Sequence, residues 1–159
     1  MNYLQRNVLS DVTVSANILT VTKGIIVQQV NCQGVMGSGL ALSIKTAYPV
    51  VYTRYKGVCN STPPHSLLGR VQMVEVADGL WVANIFSQLN YGRDKSVTYT
   101  DYSALHNGLS KIKSFALKHF TIVAIPYNIG CGLANGDWDL VSNIINDTLS
   151  DVAYKVYKL

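Results

Sequence analysis

The alternation of apolar and polar positions in Val12-Thr13-Val14-Ser15-Ala16 predicts a half-exposed strand, because successive strand side chains point to opposite faces. Gly24 to Val30 (GIIVQQV) is a β-branched run of the kind found in central strands. The next nine residues, Asn31 to Gly39 (NCQGVMGSG), suit neither strand nor helix. Helical spacing resumes at Leu40, Ala41, Ile44 and Tyr48, and Pro49 is expected to end or kink that helix ahead of a loop carrying Pro63 and Pro64. Leu67 to Val76 and Leu80 to Gln88 read as two strands joined through Ala77-Asp78-Gly79, since Asp-Gly marks a hairpin. After a polar stretch, Asn90 to Thr98, apolar residues recur three and four apart at Tyr102, Leu105, Leu109, Ile112, Phe115 and Ala116. That spacing predicts an amphipathic helix from Thr100 to His119 with Thr100 as its N-cap. Thr121 to Ile125 predicts a buried strand, Trp138 to Leu149 a helix and Val152 to Tyr157 a last strand.

This order of elements implies an α/β fold with a mixed central sheet covered by helices on both faces. No repeat, low-complexity tract or linker interrupts it, and 159 residues suit one domain, 1–159, around a shared core.

Composition narrows the picture further. With 48% hydrophobic and 14% charged residues the chain lies outside the range that stays disordered. The net charge of +4 is not gathered into a basic run, so charge alone does not argue for nucleic acid, and a small polyanion in a cleft suits it equally. Cys32, Cys59 and Cys131 form no CxxC pair, which suggests neither a disulfide framework nor a zinc site and points to a reducing compartment. Met1 to Ser10 lacks a signal-peptide pattern, and no apolar stretch approaches the ~20 residues needed to cross a bilayer. The expectation is a cytoplasmic monomer with no membrane partner, no metal and no cofactor.

The chemistry is concentrated in two loops. Gly34, Gly37 and Gly39 lie between a buried strand and a helix, where backbone amides can converge on phosphate and add the helix N-terminal dipole. The pattern is neither GxGxxG nor a Walker A loop, because no Lys-Ser or Lys-Thr pair follows the glycines. A second loop, Pro126 to Asp137 (PYNIGCGLANGD), again follows an apolar strand, precedes a helix and carries Gly130, Gly132 and Gly136. In open α/β sheets both loops would face one crevice and grip a diphosphate from two sides. Asp137 also reads simply as the N-cap of the following helix.

The segment Gln29 to Ala41 (QVNCQGVMGSGLA), leading into a helix that ends at Tyr48-Pro49, resembles the first signature of the macro domain family. Ile125 to Leu133 (IPYNIGCGL) resembles the second, and the likeness runs from about Val12 to Leu159. The resemblance implies a three-layer α/β/α domain that binds ADP-ribose. Asn84 to Gln88 (NIFSQ) followed by Tyr91-Gly92-Arg93 is closest to the ADP-ribose 1″-phosphate phosphatase branch of small microbial and viral proteins. That branch implies a metal-independent hydrolase releasing phosphate from ADP-ribose 1″-phosphate. Terminal ADP-ribose glycohydrolases and DNA-ADP-ribose antitoxins carry a catalytic Lys at about Gln88, and the glycohydrolases an Asp where this chain has Ala134. An Asp that receives the adenine amino group is replaced by Asn17, beside Ile18, and a His of some phosphatase relatives falls at about Gln28.

The resemblance implies that Asn31 contacts the distal ribose, where its amide could orient a hydroxyl or an attacking water; closing a strand-to-loop turn is the other role that residue type performs. Gln88 joins Asn31 as the second catalytic candidate, with Tyr91 near the rim and Arg93 as a contact for a terminal phosphate. The ligand-binding candidates are Asn17 and Ile18 at adenine, Gly34, Val35, Met36, Gly37, Ser38 and Gly39 in the first loop, and Tyr127, Asn128, Ile129, Gly130, Cys131, Gly132 and Leu133 in the second. His65, His106 and His119 lie away from both signatures, and Cys32 and Cys131 lack a His or Asn partner that would activate a nucleophile. Besides the phosphatase, two functions stay open: a non-catalytic reader or scavenger of ADP-ribose or NAD-derived nucleotides, and a glycohydrolase acting on ADP-ribosylated protein or nucleic acid.

Overall fold

The β-branched run becomes β2 (Gly24–Asn31), buried along almost its whole length and hydrogen-bonded in parallel to a strand on each side. The structure is a computed structural model that describes residues 15–159. Around β2 stand β1 (Ser15–Asn17), β3 (Val71–Ala77), β4 (Leu80–Gln88), β5 (Val123–Pro126) and β6 (Tyr154–Lys158), in the order β1-β6-β5-β2-β4-β3. Among the described residues only the edge strand β3 runs antiparallel, joined to β4 through the Asp78-Gly79 turn in which Gly79 has a φ of +73°. The first expected strand is seen as Ser15–Asn17, and its Val12 to Val14 portion lies outside the described residues.

Two layers of helices cover the sheet. Alternation along β2 sends Ile25 and Val27 to one face, where they pack with Leu105, Leu109 and Ile112 of α4 (Tyr102–His119) and Val141 and Ile145 of α5 (Trp138–Leu149). Ile26 and Val30 face the other side. There they meet Ile18 of a 3-10 turn (Ile18–Thr20), Ile44 of α1 (Gly39–Ala47), Val51 and Tyr55 of α2 (Pro49–Ser61), and Leu67 of α3 (Pro64–Leu67). The three-layer α/β/α arrangement follows from this burial on both faces. No helix among the described residues is long and apolar enough to cross a membrane.

Three local features differ from the sequence reading. Pro49 ends α1 and also begins α2, because its missing N–H and fixed φ suit a first helical position; Tyr48 caps both helices. Leu67 belongs to α3, so the strand starts at Val71. Asp101, not Thr100, caps α4: its carboxylate accepts from the Ala104 N–H at 2.9 Å, while Thr100 turns inward. The five parallel strands place their C-terminal ends on one edge, and the pairing of β2 with β5 brings the two glycine loops side by side there.

Candidate functional site

The first loop is built around Asn31. Its Oδ1 accepts from the N–H groups of Gln33 and Val35 at 3.0 and 3.3 Å, and its Nδ2 donates to the Val35 carbonyl at 2.8 Å. The turn role and the cleft position therefore coincide, since one amide N–H remains and Asn31 lines the cleft. Gly34 adopts a φ of +83°, and a Cβ there would point at Lys56 of α2, 3.0 Å from its Nζ, rather than into the cleft. Beyond it α1 begins with no side-chain cap at Ser38. Among the described residues the N–H groups of Gly39, Leu40 and Ala41 have no protein acceptor, so this helix end opens its donors and its dipole onto the cleft.

The second loop turns its carbonyls inward. Those of Pro126, Asn128, Gly130 and Gly132 accept from Ile129, Cys131, Gly136 and Asn135, all within 3.1 Å. Asn128 and Gly130 take left-handed φ values of +63° and +73°, which Asn and Gly tolerate best. The N–H groups of Asn128, Gly130, Gly132 and Leu133 are left without a protein acceptor among the described residues. The helix that follows is closed by Asp137, whose carboxylate accepts from Asp139 N–H at 2.8 Å, so α1 and not α5 presents an open N-terminus.

Between the loops lies a cleft of about 780 Å³, within the usual size of a small-molecule site. Among the described residues Arg93 carries the one charged side chain of its lining, and no carboxylate, imidazole, thiol or amine side chain is present there. The thiols near the loops are unreactive in character: burial pushes both Cys32 and Cys131 up to about 11, the second aided by Asp137. Burial also raises the Tyr55 hydroxyl and the Cys59 thiol.

Polar side chains form the floor. On the α1 face, Gln28 Nε2 donates to Asn84 Oδ1 at 2.7 Å and Asn84 Nδ2 to Gln72 Oε1 at 3.0 Å, leaving Gln28 Oε1 buried without a partner among the described residues. On the opposite face, Gln29 Nε2 donates to Gln88 Oε1 and Thr100 Oγ1, and Thr100 Oγ1 donates to the Gly130 carbonyl at 2.6 Å.

This geometry has close counterparts. A Bacteroides thetaiotaomicron protein of unknown function superposes with a TM-score of 0.82 at 29% identity, covering 92% of this chain and 96% of its own. A macrodomain protein from Streptomyces coelicolor gives 0.72 at 26% identity, covering 89% and 95%. The chain has the macro domain fold. Thermosipho africanus DarTG in complex with ADP-ribose shares it with a TM-score of 0.68 at 21% identity, covering 86% of this chain and 38% of that one. A Mycobacterium tuberculosis DNA ADP-ribosyl glycohydrolase is 27% identical over 128 residues, 79% of this chain, and the match spans only 34% of that relative's length. No protein-family model matches the chain.

Within the macro domain cleft, the structure brings together most of the residues expected from sequence. Asn31, Val35, Gly37, Ser38, Gly39, Gln88, Arg93, Tyr127, Asn128, Ile129, Gly130, Gly132 and Leu133 all line it, with Tyr91. Five stand outside the lining. Asn17 caps the 3-10 turn by accepting from Leu19 N–H at 2.8 Å, Ile18 and Met36 are buried in the core, Gly34 donates to Tyr55, and Cys131 packs toward α4 and α5. Gln28 was expected only as a replaced family position, and Gln29 had no assigned role. Their signal was two adjacent amides inside an otherwise apolar buried run, where each polar group needs a partner. Val30, Leu40, Ala41, Gly92, Pro126, Ala134 and Leu159 complete the lining among the described residues.

Proposed function

We propose that this macro domain binds ADP-ribose, its diphosphate held between the open end of α1 and the 127–133 loop, with Asn31, Gln88 and Arg93 around the terminal ribose. The observation that carries this reading is the convergence of two sets of backbone N–H groups without protein acceptors on one cleft. A diphosphate is anionic and presents only acceptor oxygens along its bridge, so it suits such walls. The exposed ring of Tyr127, beside Trp138 at 5.1 Å between centroids, offers an apolar surface for a ribose or base. ADP-ribose in the Thermosipho africanus relative supports the assignment. Calorimetric titration with ADP-ribose tests it: saturable binding is expected, and a Kd weaker than about 1 mM, roughly 4 kcal/mol, rejects it.

Hydrolysis at the terminal ribose is the second reading, favoured by the two amides, Asn31 and Gln88, that flank the cleft end near Arg93 and by the mycobacterial glycohydrolase relative. Among the described residues the lining supplies hydroxyls and amides but no carboxylate, imidazole, thiol or amine side chain, so this reading rests catalysis on a positioned water and on N–H groups that stabilise developing charge. ADP-ribose 1″-phosphate and ADP-ribosylated DNA or protein share that reacting end. Phosphate release from the first identifies a phosphatase, ADP-ribose release from the others a glycohydrolase, and binding with no turnover leaves a reader.

A further inference from the structure

The hydrogen bonds behind the second loop fix the polarity of a cleft residue. The Gly130 carbonyl can only accept, and Thr100 Oγ1 lies 2.6 Å from it, so the Thr100 hydroxyl proton is committed there. Thr100 Oγ1 must then accept from the Gln29 atom 2.9 Å away, which makes that atom the amide nitrogen. The same nitrogen faces Gln88 at 3.0 Å, so Gln88 must present its oxygen to Gln29 and turn its nitrogen the other way. Ser87 completes the arrangement by donating to Gln29 Oε1 at 2.7 Å. Of the two Gln88 N–H groups, one approaches the Asn90 carbonyl at 3.3 Å and the other has no protein acceptor among the described residues.

We infer that Thr100 and Gln29 are positioning residues that transmit the direction of the Gly130 carbonyl to Gln88, making Gln88 a hydrogen-bond donor to an oxygen of the ligand and not an acceptor. The direction is set by backbone, because the Gly130 carbonyl also accepts from Gly136 N–H at 2.8 Å and cannot reverse. A donor at Gln88 stabilises a phosphate or hydroxyl oxygen, whereas a carbonyl there would set oxygen against oxygen. The loop that holds the diphosphate thus also dictates how the terminal end is read. This inference rests on the ADP-ribose assignment above.

Two measurements test it. In ligand-free, 15N-labelled wild type, the side-chain amide protons of Gln29 should exchange slowly with solvent and those of Gln88 at least tenfold faster; the reverse order overturns the inference whether or not ADP-ribose binds. The second is a polarity swap read by ADP-ribose titration. Gln29→Glu cannot donate, so Gln88 must turn its nitrogen toward residue 29 and affinity should fall at least tenfold. The added negative charge would also weaken binding, so the double variant Gln29→Glu/Gln88→Arg decides: its guanidinium pairs with the carboxylate and restores donors to the cleft. Affinity within about threefold of wild type is expected for the double variant. A double variant as weak as Gln29→Glu, with thermal unfolding showing both folded, would reduce Gln29 to packing. Thr100→Val, which adds no charge, should weaken ADP-ribose about threefold or more, and unchanged affinity counts against the relay. Wild type that fails to bind ADP-ribose rejects the functional assignment while leaving the exchange result standing.

Discussion

The hydroxyl of Tyr55 lies 2.7 Å from the Asn31 carbonyl oxygen and 2.8 Å from Asn31 Oδ1, and it accepts from the Gly34 N–H at 3.1 Å. A fully buried helix residue thereby holds the first half of the first glycine loop, at Asn31 and Gly34. Tyr55→Phe leaves the Gly34 N–H without a partner, a loss of about 1–3 kcal/mol. The midpoint of thermal unfolding should fall by roughly 3–8 °C, and ADP-ribose affinity by about threefold as the loop loosens. An unchanged midpoint would mean that this hydroxyl does not hold the loop.

Gly130→Val should weaken ADP-ribose at least tenfold. The reason differs from simple obstruction of the ligand. A Cβ at Gly130 would stand 3.0 Å from both Gln29 Oε1 and Thr100 Oγ1, on a residue with a φ of +73° that β-branched side chains resist. The loop and the amide network behind it would both shift. Gly132 has nothing within 4 Å of its would-be Cβ, so Gly132→Ala should be tolerated by the fold and should report on the ligand space alone. Equal affinity loss at both positions, with both proteins folded, would contradict this division.

The buried amide row makes a stability prediction. Asn84 is fully buried and serves both neighbours, accepting from Gln28 and donating to Gln72. Asn84→Leu orphans the buried Gln28 amide while the half-buried Gln72 can turn to water, so it should cost about 1–3 kcal/mol by chemical denaturation, chiefly at Gln28. A neutral result would show that the row reorganises around water.

Alkaline pH should destabilise the fold in a defined window. Burial raises Cys32 and Cys131 from an ordinary value near 9 to about 11. Between those values the unfolded chain loses thiol protons that the folded chain keeps, so the folded state binds more protons and stability falls as pH rises. The unfolding midpoint should therefore decline from about pH 9 to 11, and replacing both cysteines with alanine should flatten that decline. An identical slope in the double variant would assign it to other groups.

The sheet and the two glycine loops were legible in the sequence because their signals are local. The GIIVQQV run, the Asp78-Gly79 turn and the apolar stripe of α4 each state their structure within a few residues. Helix α2 was not legible. Its sequence, PVVYTRYKGVCNS, buries only Val51 and Tyr55 fully, and Pro49 reads as a terminator until the structure shows it starting a helix. The roles of Tyr55, Gln29 and Thr100 were hidden for a different reason. Each acts through partners 21 to 71 residues away, so no spacing rule connects them.

The two amides at the cleft should separate when each is removed. Asn31 supports the first loop with its side chain, accepting from Gln33, Val35 and Tyr55 and donating to Val35, so Asn31→Ala should lower stability and ADP-ribose affinity together. Gln88 is only partly buried and contributes two longer bonds, to Gln29 and Asn90. Gln88→Met keeps its volume while removing its donors, so the unfolding midpoint should stay within about 3 °C, near 1 kcal/mol for a domain of this size, while affinity for ADP-ribose falls. If ADP-ribose 1″-phosphate is turned over, Gln88→Met should lower kcat and kcat/KM in parallel, the signature of a contact that strengthens in the transition state. Asn31→Ala should instead raise KM as well, because a disordered loop loses the ground-state ligand too. A Gln88→Met protein with unaltered affinity and kinetics would remove Gln88 from the site, and an Asn31→Ala protein of wild-type stability with reduced kcat alone would restore Asn31 to a purely chemical role.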